Sequence, residues 1–262
     1  MSGAGNDFVL IDNRAQNLRL TRDQVVRLCD RHRGVGADGV ILLGRASSEQ
    51  ADWSWEFYNS DGSSGEMCGN GARCFGRFVQ RRTGSPADFN FETLAGIIHA
   101  RFQGDRVTVN LTRPEKLVLN ESLPLSTGKS IVHSLNTGVP HAVLFVPDAD
   151  RAMLQELGPE IRHHARFAPK GTNVNFVQVL APGRIRVRTF ERGVEGETLA
   201  CGTGVTASAL ITSKIHNFQS PIQVLVQGGD SLEVSFTEND AGFDQVSLTG
   251  PAEFVFEGTI NL

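Results

Sequence analysis

The sequence predicts an α+β fold made of two similar halves. Three observations carry that prediction. Many short segments alternate apolar and polar residues as strands do, and each half holds one long helical pattern. Two cysteine loops match: Gly65-Glu66-Met67-Cys68-Gly69-Asn70-Gly71-Ala72-Arg73-Cys74 and Gly196-Glu197-Thr198-Leu199-Ala200-Cys201-Gly202-Thr203-Gly204-Val205-Thr206-Ala207. Each holds Cys-Gly-Xaa-Gly, each runs into the long helix of its half, and half a chain length separates them. A duplicated unit with one thiol per copy has that spacing.

With 262 residues the chain can bury a large core, as one big domain or two of ordinary size. A content of 40% hydrophobic and 21% charged residues is that of a soluble globular protein. The net charge of −4 offers no footprint for nucleic acid or for an anionic membrane surface. No apolar run approaches the roughly 20 residues of a membrane span, and the first residues do not read as a signal peptide. Four cysteines are too few for a disulfide scaffold and lack paired Cys-x-x-Cys zinc spacing. They read as thiols of a reducing cytoplasm, and no metal is expected.

Phe8 to Asp12 reads as a buried strand, preceded by the polar glycine turn Gly3-Ala4-Gly5-Asn6-Asp7. Thr21-Arg22-Asp23-Gln24 is a capping box. The helix it opens carries Val25, Leu28, Cys29 and His32 at helical spacing, which makes Cys29 a core thiol. Gly34-Val35-Gly36-Ala37-Asp38-Gly39 spells Gly-x-Gly-x-x-Gly, but a helix precedes it and the strand Val40 to Leu43 follows. A dinucleotide fingerprint needs the reverse order, so this is a helix-to-strand loop. Trp53 to Tyr58 alternates as a strand, and Asn59-Ser60-Asp61-Gly62 turns the chain into the first cysteine loop. A helix after Gly71 puts Ala72, Phe75 and Val79 on one face and ends at Arg81-Arg82 and Gly84. Cys74 reads as a core or helix-face thiol. Strands follow at Phe89 to Glu92, Ile97 to Phe102 and Val107 to Leu111.

Thr112-Arg113-Pro114 is the boundary. A polar stretch runs on to Lys129, and Ser134 to His141 leads into a strand from Ala142 to Val146. A helix from Asp150 to Leu157 stops at Gly158-Pro159. Gly171-Thr172-Asn173 and the strand after it echo Gly5-Asn6-Asp7 and its strand, a second matched feature in the same order. Ile185 to Phe190 is a strand, and a helix spans about Thr203 to Lys214. Three more strands and a last one at Phe254 to Phe256 close the chain.

A helix N-terminus offers unpaired N–H groups and a positive dipole end, and a cysteine placed there is more easily ionised. Gly69, Gly71, Gly202 and Gly204 let an anion touch the backbone. Two such ends facing each other across a cleft would hold one carboxylate, with a sulfur on either side of the carbon attached to it. That suits proton transfer at one carbon: a thiolate removes the α-proton while the opposite thiol delivers another. The helix-end donors stabilise the enediolate-like charge, and the scheme needs no pyridoxal phosphate. A single nucleophilic cysteine with His141 as base leaves the second matched loop unexplained. A redox pair lacks Cys-x-x-Cys, and as mere helix starts these loops make poor helix and poor core.

The sequence resembles the diaminopimelate epimerase family over nearly its whole length. The anchors are Gly3-Ala4-Gly5-Asn6-Asp7-Phe8, Asn59-Ser60-Asp61-Gly62, Cys68 to Cys74, Asn173-Val174-Asn175-Phe176, Glu191-Arg192-Gly193 and Ala200-Cys201-Gly202-Thr203-Gly204. The fold implied is two pseudo-repeat domains, residues 1–113 with 251–262 and residues 114–250. Each would be a mixed or antiparallel sheet wrapped round a central helix, with the active site in the cleft between domains. The resemblance implies that Cys68 and Cys201 are the acid/base pair and that His141 and Glu191 tune them. Gly69, Asn70, Gly202 and Thr203 would hold the α-carboxylate. Asn6, Asn59, Asn173, Glu191 and Arg192 would grip the amino groups and the distal carboxylate.

Epimerisation of LL- to meso-diaminopimelate without a cofactor, in lysine and peptidoglycan precursor synthesis, is the activity implied. The partners expected are that amino acid and, as one option, a second copy in a homodimer. The alternatives are a two-cysteine racemase of glutamate, aspartate or proline type, a dual-substrate enzyme, and a non-catalytic amino-acid-binding protein. Four features depart from the family pattern. Val139 replaces a ligand-binding asparagine, and Gly39 stands where some members have glutamine. The loop Glu191 to Thr198 is one residue longer, and Met1 stands where a strand before the glycine turn would end.

Overall fold

The computed structural model describes residues 1–84, 87–240 and 242–261. The chain divides into two compact units, Met1–Asn110 with Thr249–Leu262, and Leu111–Leu248. Each is a mixed sheet bent round one central helix.

The first unit holds β1 (Ser2–Gly3), β2 (Asn6–Asp12), α1 (Arg22–Cys29), β3 (Gly39–Arg45), β4 (Trp53–Asn59), α2 (Gly69–Thr83), β5 (Phe89–Thr93), β6 (Gly96–Gln103) and β7 (Arg106–Asn110). The strands are neighbours in chain order from β1 to β7. Ala4 and Gly5, with φ of 60° and 95°, make the two-residue turn between β1 and β2. The strand before β2 is therefore Ser2–Gly3, following Met1 rather than ending at it. Helix α2 touches β1, β2, β3, β6 and β7. Its Ala72, Phe75, Phe78 and Val79 are buried, and Phe75 meets Trp55 and Phe91 at ring distances of 6.0 and 4.7 Å.

Helix α1 packs elsewhere on this sheet, where Val25, Leu28 and Cys29 join Ala37, Val40 and Leu42. Its capping box is formed: Gln24 N–H donates to Thr21 Oγ1 (3.3 Å) and Thr21 N–H donates to Gln24 Oε1 (2.9 Å). Thr21→Ala should cost about 1 kcal/mol. A lowered urea midpoint checks this, and an unmoved one would leave packing alone as what holds α1. The helix ends at Cys29, short of His32. Asp30 Oδ1 accepts the N–H groups of His32 (2.8 Å) and Arg33 (2.7 Å) and turns the chain, which leaves His32 exposed.

The second unit holds β8 (Glu115–Leu125), β9 (Gly128–Asn136), β10 (Pro140–Phe145), α3 (Leu154–Arg162), a 3₁₀ turn (Ala165–Phe167), β11 (Asn173–Ala181), β12 (Arg184–Glu191), β13 (Gly196–Thr198), α4 (Gly202–His216), β14 (Ile222–Val226), β15 (Ser231–Asn239) and β16 (Gly242–Pro251). The last residues of β16 return the chain to the first unit. The strand order is β16-β15-β14-β12-β11-β10-β9-β8, with β13 paired to β12. Helix α4 touches β9, β10, β11, β12, β14 and β15. It is buried on every side from Gly204 to Ser213, as a helix without an amphipathic stripe must be. Its hydroxyls bond back to its own carbonyls, Thr206 to Gly202 (2.9 Å) and Thr212 to Ser208 (2.7 Å).

The two units repeat one topology. The pairs β2/β3, β3/β4, β4/β5 and β5/β6 run parallel, antiparallel, parallel and antiparallel. So do β10/β11, β11/β12, β12/β14 and β14/β15. The central helix follows the third strand of each series. This equates β2 with β10 and β3 with β11. The echo between Asn6 and Asn173 therefore joins strands that are not equivalent; the position equivalent to Asn173 is Gly39. Gly39 itself is explained locally, since a Cβ there would lie 2.6 Å from Tyr58 O and 2.7 Å from Phe57 Cε2.

Three expected elements differ. Residues expected as a polar stretch form the hairpin β8/β9. Irregular register and positive φ at Lys116 and Asn120 blur its alternation, and β8 is a sheet edge. Helix α3 begins at Leu154 and runs through Pro159. Asp148 Oδ1 accepts Asp150 N–H (2.9 Å) and holds the preceding residues in a turn. Burial of Leu154 and Ile161, with Gly158 against the Phe190 ring, outweighs the one donor Pro159 lacks. Phe254 to Phe256 is not a strand. Only Glu253 bridges to Ser2, Phe254 lies 4.2 Å beneath the Arg81 guanidinium, and Val255 and Phe256 are exposed.

Candidate active-site residues

A cysteine caps the central helix of each unit. Cys68 is the N-cap of α2 and Cys201 the N-cap of α4, both with extended backbone (φ −143°, ψ 116° and φ −122°, ψ 107°). Their carbonyls accept the first helical bonds, from Ala72 and Val205, each at 2.8 Å. Cys68 Sγ accepts the Gly71 N–H at 3.4 Å, and Cys201 Sγ lies 3.5 Å from Thr203 Oγ1. Neither helix carries an acidic residue in its first turn. The N–H groups of Gly69, Asn70, Gly202 and Thr203 precede the helical ladder, where an anion is favoured. Both helices span 15 residues and end in a left-handed residue, Gly84 (φ 69°) and Asn217 (φ 56°).

The other two cysteines are of another kind. Burial pushes the Cys29 thiol up to about 11, helped by the negative charges of Asp38 and Asp7, and burial pushes Cys74 up to about 12. Both are held protonated at neutral pH. Iodoacetamide at pH 7 should leave Cys29 and Cys74 unmodified in the folded protein. Peptide mass spectrometry reads this directly, because trypsin cleaves at Arg73 and separates Cys68 from Cys74. Rapid labelling of either would contradict the assignment.

In the first unit, Asn6, Asn70 and Arg73 form a chain whose direction is fixed by its ends. Arg73 Nη2 donates to Asn70 Oδ1 (3.0 Å), Asn70 Nδ2 to Asn6 Oδ1 (2.6 Å), and Asn6 Nδ2 to Asp38 Oδ2 (2.8 Å). Arginine only donates and a carboxylate only accepts, so both amides between them have one orientation. Arg73 is fully buried and also donates to Gly69 O (3.2 Å) and Pro251 O (3.3 Å). Asn59 ends β4 opposite Gly39, and its Nδ2 donates to Ser63 Oγ (3.0 Å).

In the second unit, Asn173 is buried at the start of β11. Its Oδ1 accepts Arg192 N–H (2.8 Å) and its Nδ2 donates to Pro140 O (3.2 Å). Glu191 ends β12 and accepts from Thr198 Oγ1 (2.9 Å). The loop Glu191 to Thr198 is a hairpin, β12/β13, pinned by Arg188 on both oxygens of Glu197 (2.6 and 2.7 Å) and by Arg162 on Glu195 (2.9 Å). Val139 is half-buried and its carbonyl accepts Thr137 N–H (3.2 Å).

His141 is fully buried, and burial together with the positive charge of Arg192 pushes its pKa down to about 3. Its ring is therefore neutral. A Cβ on Gly204 would lie 3.3 Å from His141 Cε1 and 2.3 Å from Asn175 Oδ1, which places this pair against the first turn of α4.

The structure thus gathers Asn6, Gly69 and Asn70 at one capped helix. It places His141 against the first turn of the other, where Cys201, Gly202 and Thr203 stand, and Asn173 beside Arg192. Thr189 Oγ1 donates to Asn175 Oδ1 (2.9 Å), and sequence reasoning missed Asp38, Arg73, Asn175 and Thr189 as parts of these networks. The spacing of Arg73 from Gly69 and Asn70 is helical, and Asn175 shares a strand face with Asn173, so both carried a readable signal. Among the described residues no cluster of three or more His, Cys, Asp or Glu is arranged to hold a metal. Nor, among them, is any helix long and apolar enough to cross a membrane.

Residues 1–117 and 133–255 match the family described as Diaminopimelate epimerase. The chain is 44% identical over 272 residues to the diaminopimelate epimerase of Aquifex aeolicus, covering 100% of this chain and 96% of that one. It is 41% identical over 268 residues to that of Chlorobaculum tepidum, covering all of both. Among solved structures, it resembles a phenazine biosynthesis protein of the PhzF family from Bacillus anthracis, with a TM-score of 0.73 at 15% identity over 96% of this chain and 92% of that one. A probable proline racemase from Agrobacterium radiobacter shares the fold at a TM-score of 0.68 and 19% identity, over 91% and 80%. The chain is an isomerase and belongs to the diaminopimelate epimerase family.

Proposed function

We propose that this protein inverts one α-carbon of LL-2,6-diaminopimelate to give the meso form, in the cytoplasm, as a step of lysine and peptidoglycan precursor synthesis. Full-length identity to diaminopimelate epimerases carries the substrate. The two cysteine-capped helices of one design carry the chemistry. One thiolate of Cys68 and Cys201 takes the α-proton as the thiol of the other gives a proton to the opposite face. One C–H bond breaks and one forms, and the two sulfurs exchange protonation states, so no oxidant and no cofactor enters.

The first-turn amides of Gly69, Asn70, Gly202 and Thr203 bind the carboxylate and stabilise its enediolate. His141 and Glu191 tune the thiols. Asn6, Asn59, Asn173, Glu191 and Arg192 hold the amino groups and the distal carboxylate. Conversion of LL-diaminopimelate to the meso form by the purified chain, resolved chromatographically beside L-glutamate, L-aspartate and L-proline, tests the reading. Turnover of diaminopimelate alone supports it; turnover of another amino acid instead moves the substrate. We further propose a homodimer, for which sedimentation at twice the chain mass is the expected result and single-chain mass the contrary one.

A further inference from the structure

The two helix caps rest on different layers. Beneath Gly71 of α2 lie Ile41 and Phe8, 3.2 and 3.4 Å from where a Cβ would stand. Beneath Gly204 of α4 lie Asn175 and His141. Strand register makes these the same positions: Phe8 pairs at Gly39 and Leu10 at Ile41 in β2/β3, as His141 pairs at Asn173 and Val143 at Asn175 in β10/β11. The repeat is therefore built with an apolar pair in one unit and a buried polar pair in the other. Packing alone does not call for the polar pair, and buried polar groups are costly unless bonded.

Its hydrogen bonds have one consistent direction. Ala142 O, a carbonyl, can only accept, and it lies 3.0 Å from the Asn175 amide nitrogen. Thr189 Oγ1 donates to Asn175 Oδ1 (2.9 Å) and holds the amide from the other side. The same nitrogen lies 3.2 Å from His141 Nδ1. Nδ1 must then accept, so the proton of the neutral ring sits on Nε2. His141 Nε2 is buried and has no partner among the described residues.

We propose that Asn175, oriented by Thr189 and Ala142 O, is a positioning residue that locks His141 in the tautomer protonated at Nε2. His141 then serves the site as a hydrogen-bond donor toward an anion, and not as a base that takes a proton at that nitrogen. This deepens the epimerase reading and rests on it for the function of His141, while the tautomer stands on its own geometry.

Nitrogen-15 NMR of the full chain labelled at histidine, with the His141 signals assigned by their loss in His141→Gln, tests the tautomer without substrate. At pH 7, a pyridine-type Nδ1 and a pyrrole-type Nε2 are expected. The reverse pattern, averaged signals, or a doubly protonated ring would overturn the lock. Asn175→Leu, comparable to the aliphatic residue at the equivalent position of the other unit, should give averaged ring signals. Its kcat should fall about ten- to hundredfold, the range for partners that orient a functional histidine, with KM changed less. A folded Asn175→Leu protein with a single tautomer, or with unchanged kcat, sinks the positioning role. A wild-type chain that shows the tautomer but does not turn over diaminopimelate would refute the epimerase reading and leave the lock intact.

Discussion

Cys68→Ser and Cys201→Ser should each lower kcat/KM for diaminopimelate by about 10²- to 10⁴-fold, the usual contribution of a positioned acid or base. Serine is the informative replacement. Both cysteines are helix N-caps with extended backbone. Serine is a good cap, so α2 and α4 should keep their starts and the urea midpoints should move little. The hydroxyl does not ionise near neutral pH, so the loss falls on chemistry. The double variant should be little worse than the singles, because two groups that act on one carbon act as a unit. A serine variant with near-normal kcat/KM would remove that cysteine from the proton transfer. An activity loss matched by unfolding would say that the thiol was structural.

Arg73→Met should destabilise the first unit by roughly 2–4 kcal/mol, as a buried charged donor leaves its acceptors without it. Gly69 O, Asn70 Oδ1 and Pro251 O each lose that donor, which is itself fully buried. Methionine keeps most of the apolar stem, so the loss reports the guanidinium. The effect should reach the site as well. With Arg73 gone, Asp38 still orients Asn6 and, through it, Asn70, but Asn70 Oδ1 loses the donor that anchors the pair against α2. KM should rise while the protein is still folded. Urea unfolding and steady-state kinetics on one preparation separate the two effects. A stability loss below about 0.5 kcal/mol would contradict the account of this network.

The cysteine loops and their helices were legible because glycine, cysteine and helical periodicity act locally. Gly84 after Arg81-Arg82 marks the end of α2, and the helix stops there. The capping box at Thr21 is likewise a local device. What was not legible depends on partners distant in sequence. The edge strand β8 takes its conformation from pairing with β9, and its irregular register hides the alternation that would mark it as a strand. Pro159 sits inside α3 because Leu154 and Ile161 have a core to fill. The run Phe254 to Phe256 is apolar but pairs with no strand among the described residues. The polar networks follow the same rule. Asn6 and Asn70 stand 64 positions apart in sequence, yet share a hydrogen bond. Repeat equivalence was misread for a related reason: the motif around Asn173 looks like the one around Asn6, whereas strand register puts Gly39 there.

The most direct test of two-thiol proton transfer is loss of the α-proton of LL-diaminopimelate into deuterated water, with and without added pyridoxal phosphate. It should be run on the wild-type chain, on each serine variant and on the double variant. The account predicts exchange by the wild-type chain that ignores the cofactor and disappears in the double variant. Exchange that persists without both cysteines, that requires pyridoxal phosphate, or that is absent from the wild-type chain would contradict it.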